Sequence, residues 1–141
     1  MNAAADPLRG SCLCGAVAFV ITTPLLAMGN CHCSMCRKQH GTAFSTYVEI
    51  AAAGFELLRG AEHIQTYVSS PGVERRFCAT CGAKLTFVMR ELPARLWVAA
   101  GVLDDVPALQ PQYHIFVGSK APWYAICDQL PQHEAYPTAG T

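Results

Sequence analysis

Hydrophobic positions along the chain come in short runs, and the runs are rich in β-branched and aromatic residues. Ala16-Val17-Ala18-Phe19-Val20-Ile21 stops just ahead of Pro24. Further runs cover Ala43 to Ile50, His63 to Ser70, Val73 to Phe77, Lys84 to Met89, Leu96 to Val102 and Tyr113 to Val117, with Gly, Pro, Asn or Ser punctuating the gaps. Runs of this length and make-up predict strands. One stretch breaks the pattern. Ser34 is a suitable N-cap, Met35 to His40 has room for about two helical turns, and Gly41 suits the left-handed position past a helix end. The sequence predicts a mainly β fold with one short helix, one domain over 8–132 and a loose tail over 133–141.

Composition narrows the setting. The 141 residues suit one domain and contain 52% hydrophobic but only 14% charged residues. A surface so poor in charge points to a homo-oligomer, a homodimer in the simplest case. Ten basic residues balance ten acidic ones, so no net field recruits nucleic acid or an anionic membrane. Met1 to Gly10 has no apolar core of signal-peptide length, and no later stretch approaches the ~18 apolar residues of a span. A reducing, cytoplasmic setting is expected. There, eight cysteines read as metal ligands or reactive thiols before disulfides.

Their spacing carries the chemistry: Cys12-x-Cys14, Cys31-x-Cys33-x-x-Cys36, Cys78-x-x-Cys81, and Cys127 alone. Zinc takes four sulfur or imidazole ligands, and closely spaced pairs supply that bite. Gly82, directly after Cys81, offers a positive φ that turns a backbone N–H back toward a sulfur. Joining Cys12, Cys14, Cys78 and Cys81 closes a four-sulfur site and leaves Cys31, Cys33 and Cys36 with one open position. The opposite partition leaves a bare pair and overfills the other site. A closed site is structural, whereas three protein ligands keep a place for water or substrate. A soft metal on three soft ligands favours a fourth sulfur, so a small thiol is the natural guest, held as the thiolate that attacks carbonyl carbon. Arg37 and Lys38 offer positive charge beside this site. The competing readings are a second structural zinc completed by His32, His40 or His114, and a disulfide framework. A methionine sulfoxide reductase is a third, prompted by Arg76-Phe77-Cys78.

Three segments carry a family resemblance: Gly10-Ser11-Cys12-Leu13-Cys14-Gly15, Cys31-His32-Cys33-Ser34-Met35-Cys36-Arg37-Lys38 and Phe77-Cys78-Ala79-Thr80-Cys81-Gly82. With Gly101 to Asp104, His114 to Val117 and Lys120 to Trp123, they resemble the glutathione-dependent formaldehyde-activating enzyme family, to which centromere protein V also belongs. The resemblance implies a β-tent fold of twisted antiparallel sheets with zinc knuckles. It implies two zinc ions per chain, structural on Cys12, Cys14, Cys78 and Cys81 and catalytic on Cys31, Cys33 and Cys36. It also implies an S-(hydroxymethyl)glutathione synthase activity, a carbon–sulfur lyase joining glutathione to formaldehyde.

Other residues read more plainly. Cys127 is expected in the core, and Trp123 and Tyr124 as packing aromatics. Lys120 reads as a solvated lysine with a carboxylate-binding alternative, and Asp104 as a turn residue. His114 is either a satisfied structural histidine or a proton shuttle.

Overall fold

The computed structural model describes residues 6–137. Over those residues the fold is mainly β, with ten strands, one α-helix and four short 3-10 turns. Strands β1 (Leu8–Ser11), β2 (Ala18–Ile21) and β5 (Phe55–Arg59) form a small antiparallel sheet in the order β1-β2-β5. The larger sheet takes β3 (Ala27–Cys31), β4 (Ser45–Ala51), β6 (Ile64–Ser70), β7 (Val73–Cys78), β8 (Lys84–Met89), β9 (Arg95–Ala99) and β10 (His114–Ile115). Its order is β10-β3-β4-β9-β8-β7-β6, antiparallel except where β10 runs parallel to β3.

Phe19 and Ile21 of β2 meet Val48 and Ile50 of β4 and Leu96 and Val98 of β9 in the main core. Each such side chain contributes about 1.5–3 kcal/mol on burial. The alternation within β4 that sends Val48 and Ile50 into this core turns Tyr47 and Glu49 to the opposite face. There the register aligns Glu49 with Trp97, Trp97 with Phe87 and Phe87 with Arg75, one row of side chains across four strands. Both faces of the large sheet are therefore occupied, one by core and one by the site described below.

Three strands lie outside the runs expected from sequence. β1 (LRGS) and β3 (AMGNC) have no β-branched residue, and β5 (FELLR) carries two charges. Pairing with neighbours overrides their weak propensity. Gly29 in β3 is required by contact, since a Cβ there would stand 2.1 Å from the Tyr113 ring. The expected run to Val102 stops at Ala99 and turns into a 3-10 segment. The expected strand Tyr113 to Val117 shrinks to two residues, because Phe116 takes a left-handed backbone (φ 58°). Helix α1 (Ser34–His40) begins one residue earlier than expected: Cys33, not Ser34, is its N-cap, and Gly41 ends it at φ 66°.

Within the stretch expected as a loose tail, His133 donates to the His114 carbonyl at 2.9 Å and accepts from Val117 N–H at 3.1 Å. The Tyr136 ring packs edge-on to Phe116 at 4.8 Å. Residues 138–141 of that stretch lie outside the described residues. Among the described residues no helix is long and apolar enough to cross a membrane.

Candidate metal centres and the cavity before them

Two groups of sulfurs form. The Sγ atoms of Cys12, Cys14, Cys78 and Cys81 lie within 4.8 Å of one another, as do those of Cys31, Cys33 and Cys36. This is the partition favoured by the spacing.

The four-sulfur group joins two tight turns. Cys12 N–H donates to the Val17 carbonyl at 3.0 Å, and Val17 N–H donates back to the Cys12 sulfur at 3.3 Å. Gly82 has the expected positive φ of 80°, but its own N–H goes to the Cys78 carbonyl at 2.7 Å. The backbone N–H of Ala83, then that of Cys14, lowers the Cys81 thiol to about 6. Each turn's glycine is held by a cation. Arg59 donates to the Gly15 carbonyl at 2.9 and 3.1 Å, and Lys84 to the Gly82 carbonyl at 3.0 Å. Cys12 and Cys78 are buried beside Val17 and Leu85.

The three-sulfur group sits where β3 runs into α1. Cys31 closes the strand, the Cys33 sulfur caps the helix by accepting from Cys36 N–H at 3.3 Å, and Cys36 is buried one turn on. Hydrogen bonds from Cys31 and Cys36 hold the Cys33 thiol far below its ordinary range, helped by the Cys36 N–H and the charge of Arg75. The same contacts push Cys31 far above it. Three sulfurs this close cannot all shed their protons without a compensating cation. A divalent soft metal is that cation, so the donor set fits zinc.

Arg75 is the main surprise of the site. The residue is 6% exposed, and its guanidinium donates to Ser69 Oγ at 2.9 Å, to Gln39 Oε1 at 3.2 Å and to the Cys36 sulfur at 3.7 Å. It also lies 5.3 Å from the Phe87 ring centre. Burial opposes its charge, but the facing Cys36 sulfur outweighs burial and keeps it protonated. The cations picked from sequence do other things: Arg37 donates to the Ser119 carbonyl at 3.2 Å, and Lys38 is exposed. Arg75 lies 39 residues from Cys36. Only the strand register brings them together, so no local signal in the sequence marks the pair.

None of the three candidate histidines joins the sulfur trio among the described residues. His40 Nε2 bonds the Tyr47 hydroxyl at 2.7 Å. His32 Nε2 bonds His114 Nδ1 at 2.8 Å, and His114 Nε2 meets Asp128 at 3.0 Å. A carboxylate only accepts, so His114 donates through Nε2 and accepts from His32 at Nδ1. Both ring nitrogens of His114 are thus hydrogen-bonded.

The remaining candidates are relocated. Cys127 is exposed, against the expectation of core, and its sulfur faces the Ala125 carbonyl at 3.6 Å. Trp123 is 71% exposed and packs little, whereas Tyr124 packs on Phe44 with ring centres 5.5 Å apart. Lys120 is half-buried, neither solvated nor free, and donates to the carbonyls of Ala121 and Tyr124. Asp104 is a turn residue accepting from Ser11 Oγ at 2.8 Å.

Before the trio opens a cavity of about 440 Å³, floored by Cys31, Cys33 and Cys36. Its walls include Met35, Phe87, Trp97, Tyr113, Phe116 and Tyr136. Phe87 and Trp97 stack at 4.8 Å with planes 3° apart. Nothing in the sequence marks these two aromatics beyond their strand pattern.

The model of the glutathione-dependent formaldehyde-activating enzyme family matches residues 7–119, a span that contains both sulfur groups. The chain belongs to this family. It is 32% identical over 127 residues to a Halomonas elongata protein whose given name places it provisionally among the glutathione-dependent formaldehyde-activating enzymes. That match spans 84% of this chain and 80% of the relative. A crystal structure of a Rhodobacter sphaeroides protein is similar at a TM-score of 0.60 and 27% identity, over 71% of this chain and 91% of the other. Membership in the formaldehyde-activating family points to an enzymatic role of the glutathione and formaldehyde kind.

Proposed function

We propose that the protein is a zinc-dependent carbon–sulfur lyase of the S-(hydroxymethyl)glutathione synthase type, acting in the cytoplasm. Its substrates are adducts of glutathione, or another small thiol, with formaldehyde or a related aldehyde. Cys12, Cys14, Cys78 and Cys81 hold a structural zinc, and Cys31, Cys33 and Cys36 a catalytic one. The observation that carries this reading is the sulfur trio at a cavity floor, joined by no histidine nitrogen among the described residues. A zinc ion on the trio would accept an outside thiol and keep it as the thiolate.

The chain's own residues prepare that chemistry. Arg75 and the Cys36 N–H stabilise negative charge on the trio, and the aromatic walls thin out water before it. In the addition, the thiolate sulfur bonds to the carbonyl carbon, the π pair moves to oxygen, and solvent supplies the proton. The reverse releases thiol and aldehyde, with nothing oxidised or reduced.

Cobalt substitution tests the reading. Glutathione should alter the visible bands of the cobalt protein, and Cys36→Ser should abolish the change. A cobalt spectrum indifferent to every thiol defeats the proposed chemistry.

A second reading is a non-catalytic zinc module that binds glutathione or a protein partner. It is favoured by the engaged state of the cavity's charged groups: Arg75 holds Ser69 and Gln39, and Glu49 pairs with Arg95. Exchange spectroscopy on glutathione and formaldehyde separates the two, because only an enzyme speeds their interconversion. The sparse charge supports a homodimer within the same proposal, to be read by sedimentation velocity.

A further inference from the structure

The cavity is larger and less polar than the family's one-carbon aldehyde requires. At about 440 Å³ it falls among pockets that bury whole organic ligands, whereas formaldehyde is a single carbonyl group. Eight of its wall residues are aromatic or thioether side chains, from α1, β4, β8, β9 and the segments around β10 and Tyr136. Rings and thioethers of this kind favour an aromatic guest through edge-to-face and sulfur–ring contacts. Fixed charge is scarce by comparison. Arg75 is the buried cation and already serves Cys36, Ser69 and Gln39, and Glu49 is neutralised by Arg95. Two carboxylates and an ammonium, as glutathione carries, would lose hydration against these walls with few partners in return.

We infer that the organic body admitted to this cavity is an aromatic hydrocarbon group, carried by the aldehyde. The identification of the bearer rests on the thiol–aldehyde reading above, while the shape and polarity of the cavity stand apart from it. The thiol sulfur adds at the trio, its own chain extends toward solvent, and the aryl group of the aldehyde occupies the cavity against the stacked Phe87–Trp97 pair and Tyr113. The bonds made and broken are those already given: one carbon–sulfur bond forms, the carbonyl π bond opens, and water supplies the proton.

The test uses the zinc-loaded protein with Trp123→Phe, which leaves Trp97 as the reporter, since the chain has two tryptophans. 4-Nitrobenzyl alcohol is the probe: its ring quenches tryptophan and it cannot add a thiol. Saturable quenching is expected, with methanol giving none. Leu92→Asp at the cavity wall, a position already 46% exposed, should weaken it at least fivefold. With glutathione present, 4-nitrobenzaldehyde should be turned over with a kcat/KM at least tenfold above that for formaldehyde. Absent or non-saturating quenching, quenching unaffected by Leu92→Asp, or a preference for formaldehyde overturns the inference. Saturable quenching in a protein whose cobalt spectrum ignores thiols removes the thiol–aldehyde reading and leaves the aromatic cavity standing.

Discussion

The two sulfur groups use the same ligand atoms but are built on different principles. In the four-sulfur group, two glycine turns face each other across Val17 and Leu85, and Arg59 and Lys84 hold the turn carbonyls in place. Exposure does not set it apart, since Cys14 is open to solvent while Cys36 of the trio is buried. Ligand number and surroundings do. On the proposed zinc reading, four sulfurs would complete a tetrahedron and leave the ion only a fold-closing task. On the same reading, three sulfurs at an aromatic cavity, with a buried guanidinium alongside, would leave a position open and prepare its charge.

The comparison is broken hardest at the closed group. Cys78→Ser removes a buried sulfur, a ligand on the proposed reading, that ties the end of β7 to the turn at Cys12 and Cys14. Metal-site free energy of this kind is folding free energy, and a domain's margin is only about 5–15 kcal/mol. We expect loss of both zinc ions and of cooperative thermal unfolding, read by metal analysis and calorimetry. A folded Cys78→Ser protein with the trio still loaded would show that the first group does not hold the fold.

The next largest effect is expected at the trio. Cys33→Ser should lower zinc from two per chain to one, shift Tm by only a few degrees and abolish the response to thiol. Global unfolding of Cys33→Ser would make both groups structural and erase the contrast.

How much of this contrast was legible in the sequence depends on distance along the chain. The grouping of the sulfurs was readable because each half of a group is a local spacing, and the helix could be placed from the punctuation around Gly41. The strands without β-branched residues were not readable, since β3 exists through its pairing with β4 and β10 and through the room that Gly29 leaves for Tyr113. Arg75 escaped for the same reason. Its row partners Phe87 and Trp97 come from separate strands, and register is a property of the assembled sheet. The pull of Arg37 and Lys38 was adjacency, and adjacency on a helix does not aim a side chain at the preceding sulfur.

Arg75 sharpens the comparison, because the four-sulfur group has no cation hydrogen-bonded to a sulfur among the described residues. Arg75→Gln should leave both zinc ions bound but weaken thiol affinity about tenfold, the scale of one charge-assisted hydrogen bond at about 1.4 kcal/mol. Arg75→Lys should recover part of it, as a lysine restores charge but not the forked geometry. Titration of the cobalt spectrum with glutathione reads all three proteins. Unchanged affinity in Arg75→Gln would demote the guanidinium to packing on Phe87.

The smallest effect concerns pH and lies just behind the trio, at His40. Burial lowers the imidazole of His40 to about 4, with the charge of Arg75 adding to the effect. Neutral His40 accepts from the Tyr47 hydroxyl, whose own proton is retained through burial and the neighbouring Cys36. Because the folded state resists protonation more than the unfolded chain does, the unfolded state binds more protons below its ordinary pKa of 6.5. The stability that His40 provides is therefore complete above pH 6.5 and drains away as pH falls toward 4. His40→Gln keeps a group able to bond Tyr47 but cannot titrate, so its unfolding curves should show a shallower loss across that window than wild type. Acid release of zinc affects both proteins alike and cancels in the difference. Parallel losses in the two proteins would mean that His40 does not carry the acid sensitivity of this side of the sheet.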